Sequence, residues 1–291
     1  MGGQKVMYMT FQGSRAWTIL SPIEQQILQK IETVGTPLKE WNVSINRGVL
    51  TGYNEAFLIS SDKRNEILAK CLTAEERTRT AAIIRPILRG RDIKRYGYEW
   101  AGLYLIATFP SKNYNIEDYP AIRDYLLSFG KERLEQTGAT YIVDGKPIKS
   151  RKATNNQWFE TQDSISYSED FLKPKIIYSE IVQSPQFYLD QNEHFLAEAT
   201  AFILCGEHLE YLVKLLNSKT LAFIFKKYYA GGGLGEKGYR YKKAFLENLP
   251  IPKYQENELC RAILDNENEE VEQYITALYG FSEEEKALIL V

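Results

Sequence analysis

Residues 173–206 constrain the fold more than any other stretch of the chain. Lys175–Val182, Gln186–Leu189 and Phe195–Leu204 are three runs rich in β-branched and aromatic residues, with punctuation at Pro174, Pro185 and Asn192. Such runs predict successive strands of one sheet. The pattern then changes period: Glu207–Asn217 and Ser218–Ala230 carry apolar residues at helical spacing, the second behind a Ser cap. Strands followed at once by a pair of helices require a sheet covered by helices.

The helical pair runs into KKYYAGGGLGEKGYRYKKAFLENLPIP, residues 226–252. Gly231, Gly232, Gly233, Gly235 and Gly238 allow the main chain to approach a partner closely. Around them stand Lys226, Lys227, Lys237, Arg240, Lys242 and Lys243, interleaved with Tyr228, Tyr229, Tyr239 and Tyr241. Cations for phosphates beside rings that stack or hydrogen-bond suit nucleic acid. Residues 233–238 also spell G-x-G-x-x-G, but a dinucleotide fingerprint needs a strand before it, and here a helix precedes. A plain flexible linker is the blander alternative. Leu249-Pro-Ile-Pro252 closes the unit, because prolines cannot continue a helix.

The formal charge of −2 disguises an uneven distribution. Residues 255–285 hold ten acids against Arg261, a local −9 that leaves +7 for the rest. Within that basic body, residues 77–95 carry Arg77, Arg79, Arg85, Arg89, Arg91, Lys94 and Arg95 against Asp92. Residues 146–152 carry Lys146, Lys149, Arg151 and Lys152 with no acid. Each cluster alone could be a solvated face; three in one chain suggest a shared electrostatic footprint.

Other classes find little support. The 291 residues and 44% hydrophobic content allow a substantial core in one domain or two. No apolar run approaches the roughly 18 residues of a membrane span, and the first residues lack a signal-peptide core, so a cytoplasmic location is expected. Cys71, Cys205 and Cys260 suit neither a disulfide framework nor a zinc cluster. His194 and His208 are the only histidines, which disfavours hydrolytic designs built on a histidine base. Asp92-Ile-Lys94 and Asp144-Gly-Lys146 show the acid-x-Lys spacing of metal-dependent nucleases, but the pattern is short and lacks an upstream Pro-Asp partner.

In chain order, Ser21-Pro-Ile-Glu24 predicts a capped helix with Ile23, Ile27, Leu28 and Ile31 on one face, ending at Gly35. Strands are expected at Trp41–Ile45, Ala56–Ile59 and Ala101–Phe109, with Gly48–Asn54 as a loop at a sheet edge. Helices are expected at 62–72 and Tyr119–Gln136, residues 144–156 as the longest irregular stretch, and acidic helices at Glu258–Tyr279 and Ser282–Leu290. The fold class is therefore α/β (mixed α+β): mixed sheets flanked by helices, with a helical C-terminal segment. The expected division is a leading linker at 1–16, an α/β half at 17–160, a second α/β half with the glycine-rich loop at 161–254, and an acidic helical tail at 255–291.

With those segments placed, the chain resembles the C-terminal specificity region, or target recognition domain, of TaqI-like and type II restriction-modification adenine-N6 DNA methyltransferases. The resemblance rests on GVLTGYNEAFLI (48–59), PILRGRDIKRY (86–96), KPKIIYSEI (173–181), LLNSKTLAFIF (215–225), GYRYKKAFLENLPIP (238–252) and LYGFSEEEKALI (278–289), in that order. It implies a mixed α/β arm that presses on double-stranded DNA while a methyltransferase domain, in cis or as a partner subunit, modifies the base. S-adenosylmethionine, and Mg²⁺ where a nuclease is present, would then serve the parent enzyme. The catalytic half of the family pattern is missing: none of the ten prolines neighbours another, so the Asn/Asp-Pro-Pro-Tyr/Phe motif that holds a flipped adenine is absent. No catalytic, cofactor-binding or metal-binding residue is assigned in this chain. A recognition half of a type I specificity subunit is the neighbouring alternative.

The expected DNA contacts are Asn54, Arg89, Arg91, Lys94, Lys149, Arg151, Lys152, Glu236, Lys237, Tyr239, Arg240, Lys242 and Lys243. Among them Arg240 and Lys237 suit guanine edges, Asn54 adenine, and Glu236 cytosine N4.

Overall fold

The computed structural model describes residues 20–231, 238–267 and 269–291. Two four-stranded sheets organise it. The central sheet has the order Phe187–Asp190, Lys175–Ser179, Ala201–Gly206, Val43–Arg47, with every pair antiparallel. The second has the order Leu196–Ala197, Ile84–Leu88, Leu103–Ile106, Leu58–Ser60, and its first pair is parallel. The fold is thus mixed α/β, as the run of strands and helices implies.

Side-chain alternation along the central strands explains how the two layers join. Ile176, Tyr178, Phe202 and Leu204 face a core shared with the helices. Their neighbours Ile177, Ala201, Ile203 and Cys205 face the core of the second sheet. Successive strand residues point to opposite faces, so strands apolar on both faces are sandwiched between two cores.

On the helical side, Leu209–Leu216 and Lys219–Ile224 lie against the sheet, and the second continues as a wide π turn over Phe225–Tyr229. Asn217 between them locks the helices to the edge strand: its side chain accepts from Phe187 N at 3.1 Å and donates to Phe187 O at 2.8 Å. The first helix, Pro22–Val34, has the full capping box of Ser21 and Glu24.

The expected division at residue 160 does not match the cores. Val43–Arg47 pairs with Ala201–Gly206 in the central sheet, and Leu196–Ala197 returns to pair with Ile84–Leu88. Nor is the acidic tail separate, since Cys260, Ile263, Val271, Ile275, Tyr279, Phe281 and Ile289 are buried in the helix-side core. Glu272 accepts from the main-chain amides of Lys219 and Thr220 and from the Thr220 hydroxyl.

Four local expectations are corrected. Asn54–Phe57 is a single helical turn, and the strand after it is Leu58–Ser60. The helix expected over Tyr119–Gln136 breaks into Pro120–Leu127 and Lys131–Leu134 at Gly130, whose φ is +85°. The irregular stretch begins with a hairpin, Thr140–Val143 paired with Lys146–Lys149. Phe195–Leu204 is two strands broken at Glu198–Thr200. No helix among the described residues is long and apolar enough to cross a membrane.

Candidate nucleic-acid interface

The turn Glu198–Thr200 gathers loops from both sheets. Glu198 N donates to Leu88 O (2.8 Å), Val49 N to Ala197 O (2.7 Å), Ala199 N to Val49 O (3.1 Å) and Gly48 N to Ala201 O (2.8 Å). The Arg47 guanidinium donates to Ala199 O at 2.9 Å. Gly90 N donates to the Thr200 hydroxyl at 2.9 Å, and Glu180 N to Thr200 O at 3.3 Å. The Glu198 carboxylate holds the turn by accepting from Thr200 N (2.9 Å) and Oγ1 (2.5 Å).

The glycine-rich segment joins this end through main-chain pairing. Ile181–Val182 pairs antiparallel with Tyr239–Arg240, and Tyr241 N donates to Glu180 O at 2.8 Å. Gly238 has φ +99°, and a Cβ there would lie 2.1 Å from Val182 O, so this close approach requires glycine. The loops 48–54, 89–92, 180–183, 198–200 and 238–241 therefore share one scaffold. Their convergence was not visible in the sequence, where Glu-Ala-Thr (198–200) was read as part of a strand; three small or polar residues inside an apolar run were the available signal.

Several expected contacts lie on these loops, beside them or on the hairpin, most of them as exposed side chains. Asn54 is exposed on the helical turn after the 48–53 loop, where its Oδ1 accepts from the Thr51 hydroxyl at 2.6 Å. Arg91 is exposed, and Lys94, half-buried, reaches Arg91 O at 3.0 Å and Glu99 at 3.5 Å. Lys242 and Lys243 are exposed, Lys243 lying 3.6 Å from Glu247. Lys149 and Lys152 are exposed on and just after the hairpin. Glu236 and Lys237 lie outside the described residues.

Three others are used in the fold. Arg151 is buried: its guanidinium donates to Leu134 O, Thr51 O, Glu160 O and Trp158 O, each at 2.8 Å. Burial, with the neighbouring charge of Arg133, lowers this guanidinium to about 10. Its expected role as a phosphate contact is therefore corrected, because the side chain is buried and four of its five N–H donors are spent on main-chain carbonyls linking the hairpin base to the 48–54 loop. Tyr239 is buried under Lys226, whose Nζ sits 4.5 Å above the ring, and its hydroxyl lies 3.3 Å from that of Tyr241. Burial pushes the Tyr239 hydroxyl up to about 12, so this ring is packing and not a stacking platform. Arg240, its neighbour, belongs by strand alternation to the opposite face and is half-buried, its Nε itself buried and lacking a partner among the described residues.

Arg89 grips Asp92 through two guanidinium bonds of 2.9 and 2.8 Å, and Arg89 N adds a third at 2.8 Å. Burial alone would raise the Asp92 carboxyl, but the hydrogen bonds from Arg89 and the charges of Arg89 and Arg91 hold it below its ordinary value. Asp144, the other acid with nuclease-like spacing, is a turn residue: Asp144 and Gly145 have φ of 48° and 75°, as a two-residue type I′ hairpin demands. Both acids thus have structural work.

Comparison with known proteins agrees with this architecture. A family model described as the TaqI-like C-terminal specificity domain matches residues 85–251, more than half of the chain. The chain is 19% identical over 287 residues to the type II methyltransferase M.PaeR7I of Pseudomonas aeruginosa, covering 95% of this chain and 45% of that protein. It thus spans less than half the length of that curated relative. Among solved structures it resembles the type IIL restriction-modification enzyme MmeI, determined in complex with DNA, with a TM-score of 0.55, 13% identity, and coverage of 88% of this chain and 35% of that one. It also resembles the type IIG restriction endonuclease BpuSI, with a TM-score of 0.53, 11% identity, and coverage of 92% and 31%. At these identities the two structures speak for the fold alone, whereas the family match takes in three strands of each four-stranded sheet and the loops 89–92, 180–183, 198–200 and 238–241. The chain belongs to the TaqI-like C-terminal specificity domain family.

Proposed function

We propose that the chain is a sequence-specific double-stranded DNA recognition domain, which positions DNA for adenine-N6 methylation by a methyltransferase domain outside it. The observation that carries this reading is the gathering of loops from both sheets around Glu198–Thr200, with the exposed cations Arg91, Lys242 and Lys243 and the half-buried Arg240 on or directly beside those loops. Lys242, Lys243, Arg91, Lys149 and Lys152 supply phosphate contacts, which set register without reading sequence. Arg240 and Asn54, on paired or helical backbone, are the readers, one for guanine and one for adenine. The methyltransferase domain, in cis or as a partner subunit, supplies S-adenosylmethionine chemistry, and this chain supplies none. A cytoplasmic location follows from a DNA substrate.

The experiment is binding-site selection with wild-type and Arg240→Ala chains, both checked to be folded. Loss of a guanine edge contact is expected to cost about 1–3 kcal/mol on the selected site and relax preference at one base pair, whereas Lys242→Ala weakens binding to all sequences alike. Identical selected motifs with a uniform loss for Arg240→Ala would remove base reading from that residue. No selection of any motif by the wild type would remove the recognition reading itself.

A further inference from the structure

The hairpin Thr140–Val143/Lys146–Lys149 has a surface that the fold does not use. Cross-strand partners share a face, so Thr140 with Lys149 and Ile142 with Pro147 lie on one side, and Tyr141 with Ile148 and Val143 with Lys146 on the other. The second side faces inward in part: Tyr141, Ile148 and Val143 are half-buried, and the Tyr141 hydroxyl lies 3.0 Å from that of Thr137. All four residues of the first side are exposed, Ile142 at 72%. At the tip, a Cβ placed on Gly145 would meet nothing within 4 Å.

The base is firmly held. Ser150 N donates to Ala139 O and Gly138 N to Arg151 O, each at 2.9 Å, which extends the ladder, and the buried Arg151 then ties that base to Thr51 in the 48–54 loop. An isolated two-stranded ribbon is marginal in water; this one is tied through Arg151 to the 48–54 loop of the candidate interface. Lysines and a proline on a free edge also discourage pairing with other chains. That purpose does not call for an isoleucine exposed between them.

We propose that this hairpin is a second DNA-engaging element, a β-ribbon lying in the major groove with Ile142 and Pro147 against base edges and Lys146, Lys149 and Lys152 against flanking phosphates. The inference rests on the DNA-recognition reading above. Charge selects the occupant: residues 146–152 carry four cations and no acid, and Arg151 is turned inward to hold the ribbon while the three lysines stay exposed. Shape selects the groove, since the major groove admits a two-stranded ribbon and offers thymine methyl groups to apolar side chains.

The test uses the full chain on its selected site and compares wild type with Ile142→Ser and Lys149→Ala, two exposed positions whose folding is checked by thermal melting. Methylation protection reports guanine N7 in the major groove and adenine N3 in the minor groove. Ile142→Ser is expected to weaken binding about tenfold with an unchanged salt slope and to release a patch of guanine N7 protection. Lys149→Ala is expected to reduce the log-log salt slope by about 0.9. Wild-type affinity, slope and protection in both variants would overturn the ribbon while leaving the recognition reading intact. Release of adenine N3 instead of guanine N7 would overturn the groove assignment, and no protection by the wild type would overturn the recognition reading on which all of this stands.

Discussion

Arg151 and Arg240 show how far a basic residue's role depends on packing that its sequence neighbours do not reveal. Both sit among lysines, and both suit DNA on composition. Arg151, among the largest fully buried side chains of the described residues, satisfies four carbonyls from separate segments, whereas Arg240 sits on a strand between two buried tyrosines and is only half-buried. The Tyr-Arg-Tyr alternation held that signal for Arg240, because a strand sends neighbours to opposite faces. Nothing in Lys-Ser-Arg-Lys (149–152) distinguishes the arginine that folds inward from the lysines that do not. Arg151→Ala strands four carbonyl acceptors, three of them in buried bonds, and leaves a cavity, so it is expected to destabilise the chain by about 3 kcal/mol or more in urea unfolding. Lys cannot reproduce the planar fork and should recover only part of that loss. A change within about 0.5 kcal/mol for Arg151→Ala would show that the residue behaves as a surface cation.

At the scale of elements, what the sequence revealed was what local chemistry decides. The capping boxes at Ser21 and Ser282, the strand at Lys175–Ser179 and the helical pair before the glycines all appear where their local patterns place them. Asp144-Gly145 was a legible hairpin signal that the surrounding polar residues obscured. The turn at Glu198–Thr200 was harder to see, because it is defined by strands from 43–47 and 84–88 arriving on either side. Gly48 records that meeting in a way a substitution can test. A Cβ at Gly48 would sit 2.1 Å from Glu198 O and 2.6 Å from Ala197 O, both main-chain atoms that no side-chain rotation can move. Gly48→Ala is expected to cost about 1–3 kcal/mol through this overpacking and to weaken DNA binding by displacing the 48–54 loop. An Ala variant as stable as wild type, with unchanged affinity, would mean that the gathered loops are not a rigid scaffold.

For the molecule as a whole, the shared central sheet predicts one cooperative unit where composition suggested two halves and a tail. Ile176 and Ile177 are adjacent residues of one strand yet belong to different cores, so neither core can lose its packing without exposing a face of the sheet that the other needs. Trp41 is buried in the helix-side core and Trp158 packs beside the other, which gives each a reporter. In variants whose sole tryptophan is Trp41 or Trp158, with Trp17 and Trp100 also replaced, urea midpoints followed by fluorescence are expected to coincide with each other and with the loss of helix by circular dichroism. Removal of residues 255–291 strips Cys260, Ile263, Val271, Ile275, Tyr279, Phe281 and Ile289 from the helix-side core alone. If the sheet couples the cores as described, the Trp158 signal should still collapse toward its unfolded value in the truncated chain. A native Trp158 signal surviving that truncation, or two separated midpoints in the intact chain, would show that the sheet divides the molecule instead of joining it.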